Sequence, residues 1–254
     1  MKMILVLSPH LDDAVLSCGG WMAQMVEAGR QVLVYNLFCA HYQGPLSPAA
    51  RELHASWGNP RDITALRAVE DRQALGVIGA EGMYGDARDL IYRQDACGEW
   101  LYPAMDDIMG TRNPQDDALV GHYLEKVSAL FKTEEVEMYA PLGIGGHIDH
   151  LLAFDLGMRL KESGYAVRFY EDLPYALHAD WLEKRMEAIA GGEVQVKLFT
   201  LKNLEKKLTA LSTYASQIPS LFEDEAKMRE SLTAQALRMS GRQDMGGEKV
   251  WRIK

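Results

Sequence analysis

The sequence predicts an α/β fold, a Rossmann-like three-layer sandwich around a mostly parallel sheet. Three observations carry this expectation. Residues 3–7 form a short continuous apolar run, the pattern of a strand covered on both faces. Apolar residues at helical spacing follow over 14–28, with Gly29 as the stop. Residues 31–38 then read as a second strand, and such a β-loop-α-β opening calls for parallel pairing through a right-handed crossover.

The remaining elements follow in order. Residues 40–60 contain Gly44, Pro45, Pro48, Gly58 and Pro60 and read as a long surface loop. Asp62 caps an expected helix reaching Leu75, with Gly76 ending it. Residues 85–115 mix Gly, Pro, Asp and aromatics without a period and are expected to be irregular, lining a pocket. A helix over 117–132 and a strand over 135–140 lead into the glycine-rich turn 141–146. A helix over 147–162, stopped by Gly164, precedes a strand over 165–170. Helices are expected over 177–190, 202–215 and 222–239, a strand over 194–200, and an added edge strand over 250–253. No repeat, low-complexity tract or linker interrupts the chain, so one domain over residues 1–254 is expected.

Composition narrows the chemistry. A chain of 254 residues buries a core without help from disulfides or a structural metal, so a metal site reads as chemical. The net charge of -9 and the lack of a Lys/Arg cluster argue against a nucleic-acid partner. Cys18, Cys39 and Cys97 have no CxxC spacing and read as thiols of a reducing compartment. The first apolar run is too short for a signal peptide, and no eighteen apolar residues run together. A cytoplasmic protein without a membrane span is expected.

Two segments concentrate reactive side chains. Ser8-Pro9-His10-Leu11-Asp12-Asp13 lies directly after the first strand, where open parallel sheets bind ligands. A tight turn there lets His10 and Asp13 offer one nitrogen and one oxygen to a metal such as Zn²⁺. Asp12 then projects beside the metal as a free carboxylate, the placement a general base requires. The alternative is structural, with Asp12 or Asp13 capping the next helix and His10 on a surface turn.

The second segment, Gly143-Ile144-Gly145-Gly146-His147-Ile148-Asp149-His150, also follows a strand and opens a helix. His147 and His150 are three apart and share a helical face, and Asp149 is placed to accept a hydrogen bond from a ring N–H. A helix terminus alone explains Asp149 through the dipole but explains neither histidine. Two such turns at the ends of two strands fit one shared metal site.

At these residues the sequence resembles the PIG-L/LmbE-like N-acetylglucosaminyl deacetylase family. That family's motifs read P-H-P-D-D-E and H-x-D-H; here they stand as Pro9-His10-Leu11-Asp12-Asp13-Ala14 and His147-Ile148-Asp149-His150, with Leu11 and Ala14 departing. Weaker similarity runs through residues 67–76, 170–175 and 207–217. The resemblance implies that His10, Asp13 and His150 bind the metal and that Asp12 is the general base to a metal-activated water. It implies that His147 polarises the carbonyl or stabilises the oxyanion and that Asp149 orients a histidine. The activity implied is a zinc-dependent hydrolase removing an N-acetyl group from an amino-sugar or glycoconjugate substrate, with Fe²⁺ as the alternative ion. Competing readings are an amidase of the same superfamily acting on a thiol conjugate or antibiotic intermediate, and a non-catalytic sugar-binding protein.

Arg67, on a helix, is a candidate for a sugar hydroxyl or phosphate, against an intrahelical pair with Glu70 or Asp71. Glu171 and Asp172 follow a strand and are candidates to reach the site or the substrate, against a capped turn before Pro174. Trp57, Trp100 and Tyr102 are candidates to stack on a sugar ring, against packing roles.

Overall fold

A computed structural model, describing residues 2–253, shows a seven-stranded sheet ordered β3-β2-β1-β4-β5-β7-β6. The first half runs β1 (Met3–Ser8), α1 (Asp13–Glu27), β2 (Val32–Asn36), α2 (Pro48–Ser56), α3 (Ile63–Ile78), β3 (Glu81–Tyr84) and α4 (Asp117–Leu130). Then come β4 (Val136–Pro141), α5 (Ile148–Glu162), β5 (Ala166–Tyr170), α6 (Ala179–Ala188) and β6 (Gly192–Thr200). The last part holds α7 (Leu201–Leu211), α8 (Ile218–Phe222), α9 (Glu225–Ser240) and β7 (Met245–Ile253).

The apolar run of β1 lies at the centre of the sheet, with Ile4, Leu5, Val6 and Leu7 fully buried. Val6 pairs with Val34 of β2 on one side and Tyr139 of β4 on the other, both in parallel. The chain leaves β1 towards β2 and later continues from β4 towards β5, in opposite directions along the sheet. Right-handed crossovers therefore put α1 and α5 on opposite faces. The crevice between the carboxyl ends of β1 and β4, where the strand order reverses, is where such folds bind ligands. Both reactive segments open into it.

Four expectations change. Residues 40–60 are not a continuous loop: Ser47 Oγ accepts the Ala50 N–H and Pro48 starts α2, a start signal outweighed in the sequence by the surrounding Gly and Pro. The third helix passes through Gly76 and ends at Gly79, which takes the left-handed conformation at φ 85°. The helix expected over 222–239 begins only at Glu225, where the Asp224 carboxylate accepts the Lys227 N–H. The C-terminal strand is not at the edge; β7 inserts between β5 and β6, antiparallel to both, and β6 is outermost. The short strand β3 had no alternating pattern to announce it.

Phe199 of β6 and Glu248 of β7 tie this end of the sheet to α1. The Glu248 carboxylate accepts the Gly20 and Trp21 N–H groups at 3.1 and 2.9 Å and pairs with buried Lys207 of α7 at 2.7 Å. Among the described residues, no helix is long and apolar enough to cross a membrane.

Candidate active site

The turn after β1 is held by its own polar groups. Ser8 Oγ donates to the His10 carbonyl at 2.6 Å and accepts the Ala14 N–H at 3.0 Å. The His10 N–H donates to Asp13 Oδ2 at 2.9 Å, which turns both side chains inward. Asp12 occupies the cap position of α1, yet its side chain makes no capping bond. Its Oδ1 lies 3.4 Å from Arg67 Nη2, reaching over from α3.

The turn after β4 needs glycine where it is sharpest. Gly145 sits at φ 84°, and a Cβ there would come within 3.1 Å of the Trp181 ring. His147 caps α5 through its ring: Nδ1 accepts the Asp149 N–H at 3.2 Å. An Nδ1 used as acceptor leaves the proton on Nε2, so the ring presents a donor to the cavity that His147 lines. Burial, with His10 and His150 adding to it, holds the His147 pKa well below the usual range and keeps the ring neutral.

Asp149 is fully buried and holds three groups from distant segments. Its Oδ1 accepts from Arg93 Nη2 at 2.6 Å, and its Oδ2 lies 3.1 Å from both His10 Nε2 and the Leu90 N–H. The histidine it orients is thus His10, across the crevice, and neither of its neighbours in sequence. Burial opposes charge on Asp149, but Arg93 and His10 keep its pKa below the ordinary carboxylate range. Arg93 is fixed in turn by Asp116, which also accepts from Tyr102.

His10, Asp13 and His150 offer ligand atoms within 4.8 Å of one another. Asp13 Oδ2 lies 3.2 Å from His10 Nδ1 and 3.3 Å from His150 Nε2. Ligands about 2.0–2.1 Å from a tetrahedral zinc stand about 3.3 Å apart, so these separations fit one ion. His150 Nε2 is buried and makes no hydrogen bond, an orphaned nitrogen aimed at this point. His10, His147 and Asp149 form an overlapping group. There the Asp149 oxygens are already held by Arg93 and Leu90, so the first group suits an ion better.

The electrostatics agree. Burial disfavours charge on both His10 and His150, yet the surrounding carboxylates outweigh it. Asp89 and Asp13 lift His10 well above the usual range, and Asp13 and Asp172 lift His150 to about 9. Burial opposes charge on Asp13 as well, but His150 and His10 hold its pKa well down. Two ring protons and one divalent cation carry the same charge, so protons would compete with an ion for this cluster. Asp12 differs: burial raises its pKa, with Arg67 opposing.

Residues 5–161 match the PIG-L family, described as GlcNAc-PI de-N-acetylase. The chain belongs to this family. Within reach of the PIG-L match is 2'-N-acetylparomamine deacetylase of Niallia circulans, 26% identical over 244 residues, covering 90% of this chain and 85% of that protein. The enzyme of the same description from Streptomyces fradiae is 27% identical over 235 residues, covering 90% and 76%. The solved zinc-inhibited form of teicoplanin deacetylase Orf2 superposes with a TM-score of 0.82 at 29% identity, covering 98% of this chain and 97% of that one. This PIG-L member shares its α/β architecture with that solved deacetylase over 98% of the chain.

The structure brings His10, Asp12, Asp13, His147, Asp149 and His150 into one cluster and lays Arg67 on the cavity wall beside it. Glu171 and Asp172 do not line the cavity. Glu171 accepts from Trp251 Nε1 at 3.0 Å on the far side of β5, and Asp172 sits behind His150. Trp57 lines the cavity, whereas Tyr102 is buried against Asp116. Sequence reasoning missed Asp89, 3.8 Å from His10 Nε2 and 3.9 Å from Arg67 Nη1, and Arg93. Both lie in the aperiodic stretch, where no local pattern marked them. Tyr175, which packs edge-on against His150, falls in the stretch 170–175 noted for its resemblance but was not singled out there as a site residue.

Proposed function

We propose that this chain hydrolyses the acetamide of an N-acetylated amino sugar in a small glycoconjugate, with one zinc ion held by His10, Asp13 and His150. The observation that carries the reading is a buried Asp12 carboxylate, free of capping duty, beside three convergent ligand atoms. A divalent ion bound there supplies Lewis acidity and lowers the pKa of water from 15.7 towards about 7.

The chain's own groups do the rest. Asp12 takes up a proton at its carboxylate as water adds to the amide carbon; its raised pKa suits a base that must later give that proton back. Arg67 holds the carboxylate in place. The His147 Nε2 proton faces the developing oxyanion, a donor of the kind that contributes about 3 kcal/mol to such transition states. Asp149, braced by Arg93, fixes the His10 ring. The departing amine needs one proton, the number Asp12 has gained, so acetate and a free amine leave. Relatives named for N-acetylparomamine and teicoplanin support a glycosylated small molecule as the substrate class.

The test is acetate release across a panel of N-acetylated amino sugars and their glycosides, with bound metal measured in the same sample. Stoichiometric zinc with acetate release is the expected result, and Fe²⁺ reconstitution serves as the comparison. A metal-loaded protein that releases acetate from no member of the panel overturns the reading.

A further inference from the structure

The cleft above the metal cluster has two chemically different parts. Its floor carries all the charged or imidazole side chains that line it: His10, Asp12, Asp13, Arg67, Asp89 and His147. Its rim is apolar. Leu53 and Trp57 come from α2 and its C-terminal cap, Met105 and Met109 from the turn 105–109, and Leu221 from α8. The exposure gradient sets the order: Asp12 and Asp13 are 7% and 6% exposed, while Met109 is 42% exposed. Of the uncharged amide and hydroxyl groups in the lining, Ser220 is exposed at the rim, whereas Gln217, 4% exposed, lies as deep as the floor.

Asp106 and Asp107, the acids between the two methionines, are not among the residues that line the cleft. Asp107 is used locally, accepting the Ala104 N–H at 2.7 Å. The Trp57 ring carries the Arg67 guanidinium at 5.3 Å, which places positive charge at the junction of floor and rim. An acceptor bearing several ammonium groups finds no carboxylate on this rim to replace lost water, and desolvating an unpaired ammonium is costly. An apolar group gains by covering the same surface, and methionine side chains adapt to varied apolar shapes.

The cavity volume is about 240 Å³. Sites that enclose whole drug-sized ligands hold about 300–1,000 Å³. The cleft, floor and rim together, therefore has room for a sugar ring with its acetamide but not for a whole larger molecule. We propose that the rest of the substrate is an apolar aglycone, aromatic or aliphatic, seated across Trp57, Met105, Met109 and Leu221, and not a polycationic aminocyclitol. The proposal rests on the amino-sugar reading given under Proposed function and specifies its substrate.

Binding of the deacetylated products tests it without turnover. Glucosamine, phenyl β-glucosaminide and paromamine are titrated calorimetrically into the zinc-loaded protein, and acetate release is followed from their N-acetyl forms. The phenyl glycoside is expected to bind at least tenfold tighter than glucosamine, about 1.4 kcal/mol, and tighter than paromamine. Met109→Asp, and independently Trp57→Ala, should cut that preference to below threefold. Equal binding of glucosamine and its phenyl glycoside, or tighter binding of paromamine, overturns the aglycone proposal. Absence of acetate from all three N-acetyl compounds instead removes the deacetylase reading, while the order of product affinities still decides the character of the rim.

Discussion

His150 Nδ1 donates to Asp172 Oδ1 at 2.7 Å, and the other oxygen of Asp172 accepts the Gly143 and Ile144 N–H groups at 2.9 and 3.1 Å. One buried carboxylate therefore locks both the ring that completes the His10–Asp13–His150 group and the turn that leads to it. Because Nδ1 is held as the donor, the proton that His150 would give up to an ion is the one on Nε2, and the lone pair so freed points towards His10 and Asp13.

Asp172→Asn should weaken metal binding by about 10–100-fold, because the ring loses its charged anchor while its position in the helix is kept. Competition with a chromophoric chelator measures this. Unchanged affinity in a folded variant would reduce Asp172 to a brace for the turn.

Asp12→Asn should separate chemistry from binding. Loss of the proton acceptor is expected to lower turnover by about 10²–10⁴-fold, with metal stoichiometry unchanged. His150→Ala and Asp13→Ala should instead empty the site. Atomic absorption beside acetate release distinguishes the two classes, and loss of metal in Asp12→Asn would mark that residue as a ligand.

Asp71 provides a stability signal away from the ligands. It is 1% exposed and accepts from Tyr84, Tyr214 and Asn36. Burial outweighs these bonds and pushes its pKa up to about 7. An unfolded aspartate titrates near about 3.9, so between about pH 4 and 7 the folded state keeps a proton that the unfolded chain has released. Stability should fall as pH rises through that window, by up to about 4 kcal/mol from this group. Urea denaturation at pH 5 and 7.5 should show a smaller loss for Asp71→Asn than for the natural protein; equal losses would refute the assignment.

Gly20 tests the packing of α1 on the far end of the sheet. A Cβ at this position would lie 2.5 Å from the Phe199 ring. Alanine improves helix propensity by about 1 kcal/mol, but overpacking costs about 1–3 kcal/mol. Phe199 is fully buried and has little room to move, so the cost falls towards the upper end and Gly20→Ala should destabilise the fold by up to about 2 kcal/mol, the difference of those terms. A raised denaturation midpoint would contradict this.

The sequence alone determined the central strands, the crossover helices between them and the two turns that hold His10, Asp12, Asp13, His147 and His150. Each is marked by residues a few positions apart: an apolar run, a helical period, a glycine stop, a histidine three places from another. Tertiary structure decided what surrounds them. Asp149 meets His10, 139 residues away, and braces against Arg93; Asp172 turns from the substrate side to the back of His150; β7 enters the sheet beside β5. The apolar rim joins α2, the turn 105–109 and α8, segments with no shared pattern. Local periodicity reports which face of an element is buried, but a partner across the crevice is chosen only when the sheet's strand order brings distant loops to one edge.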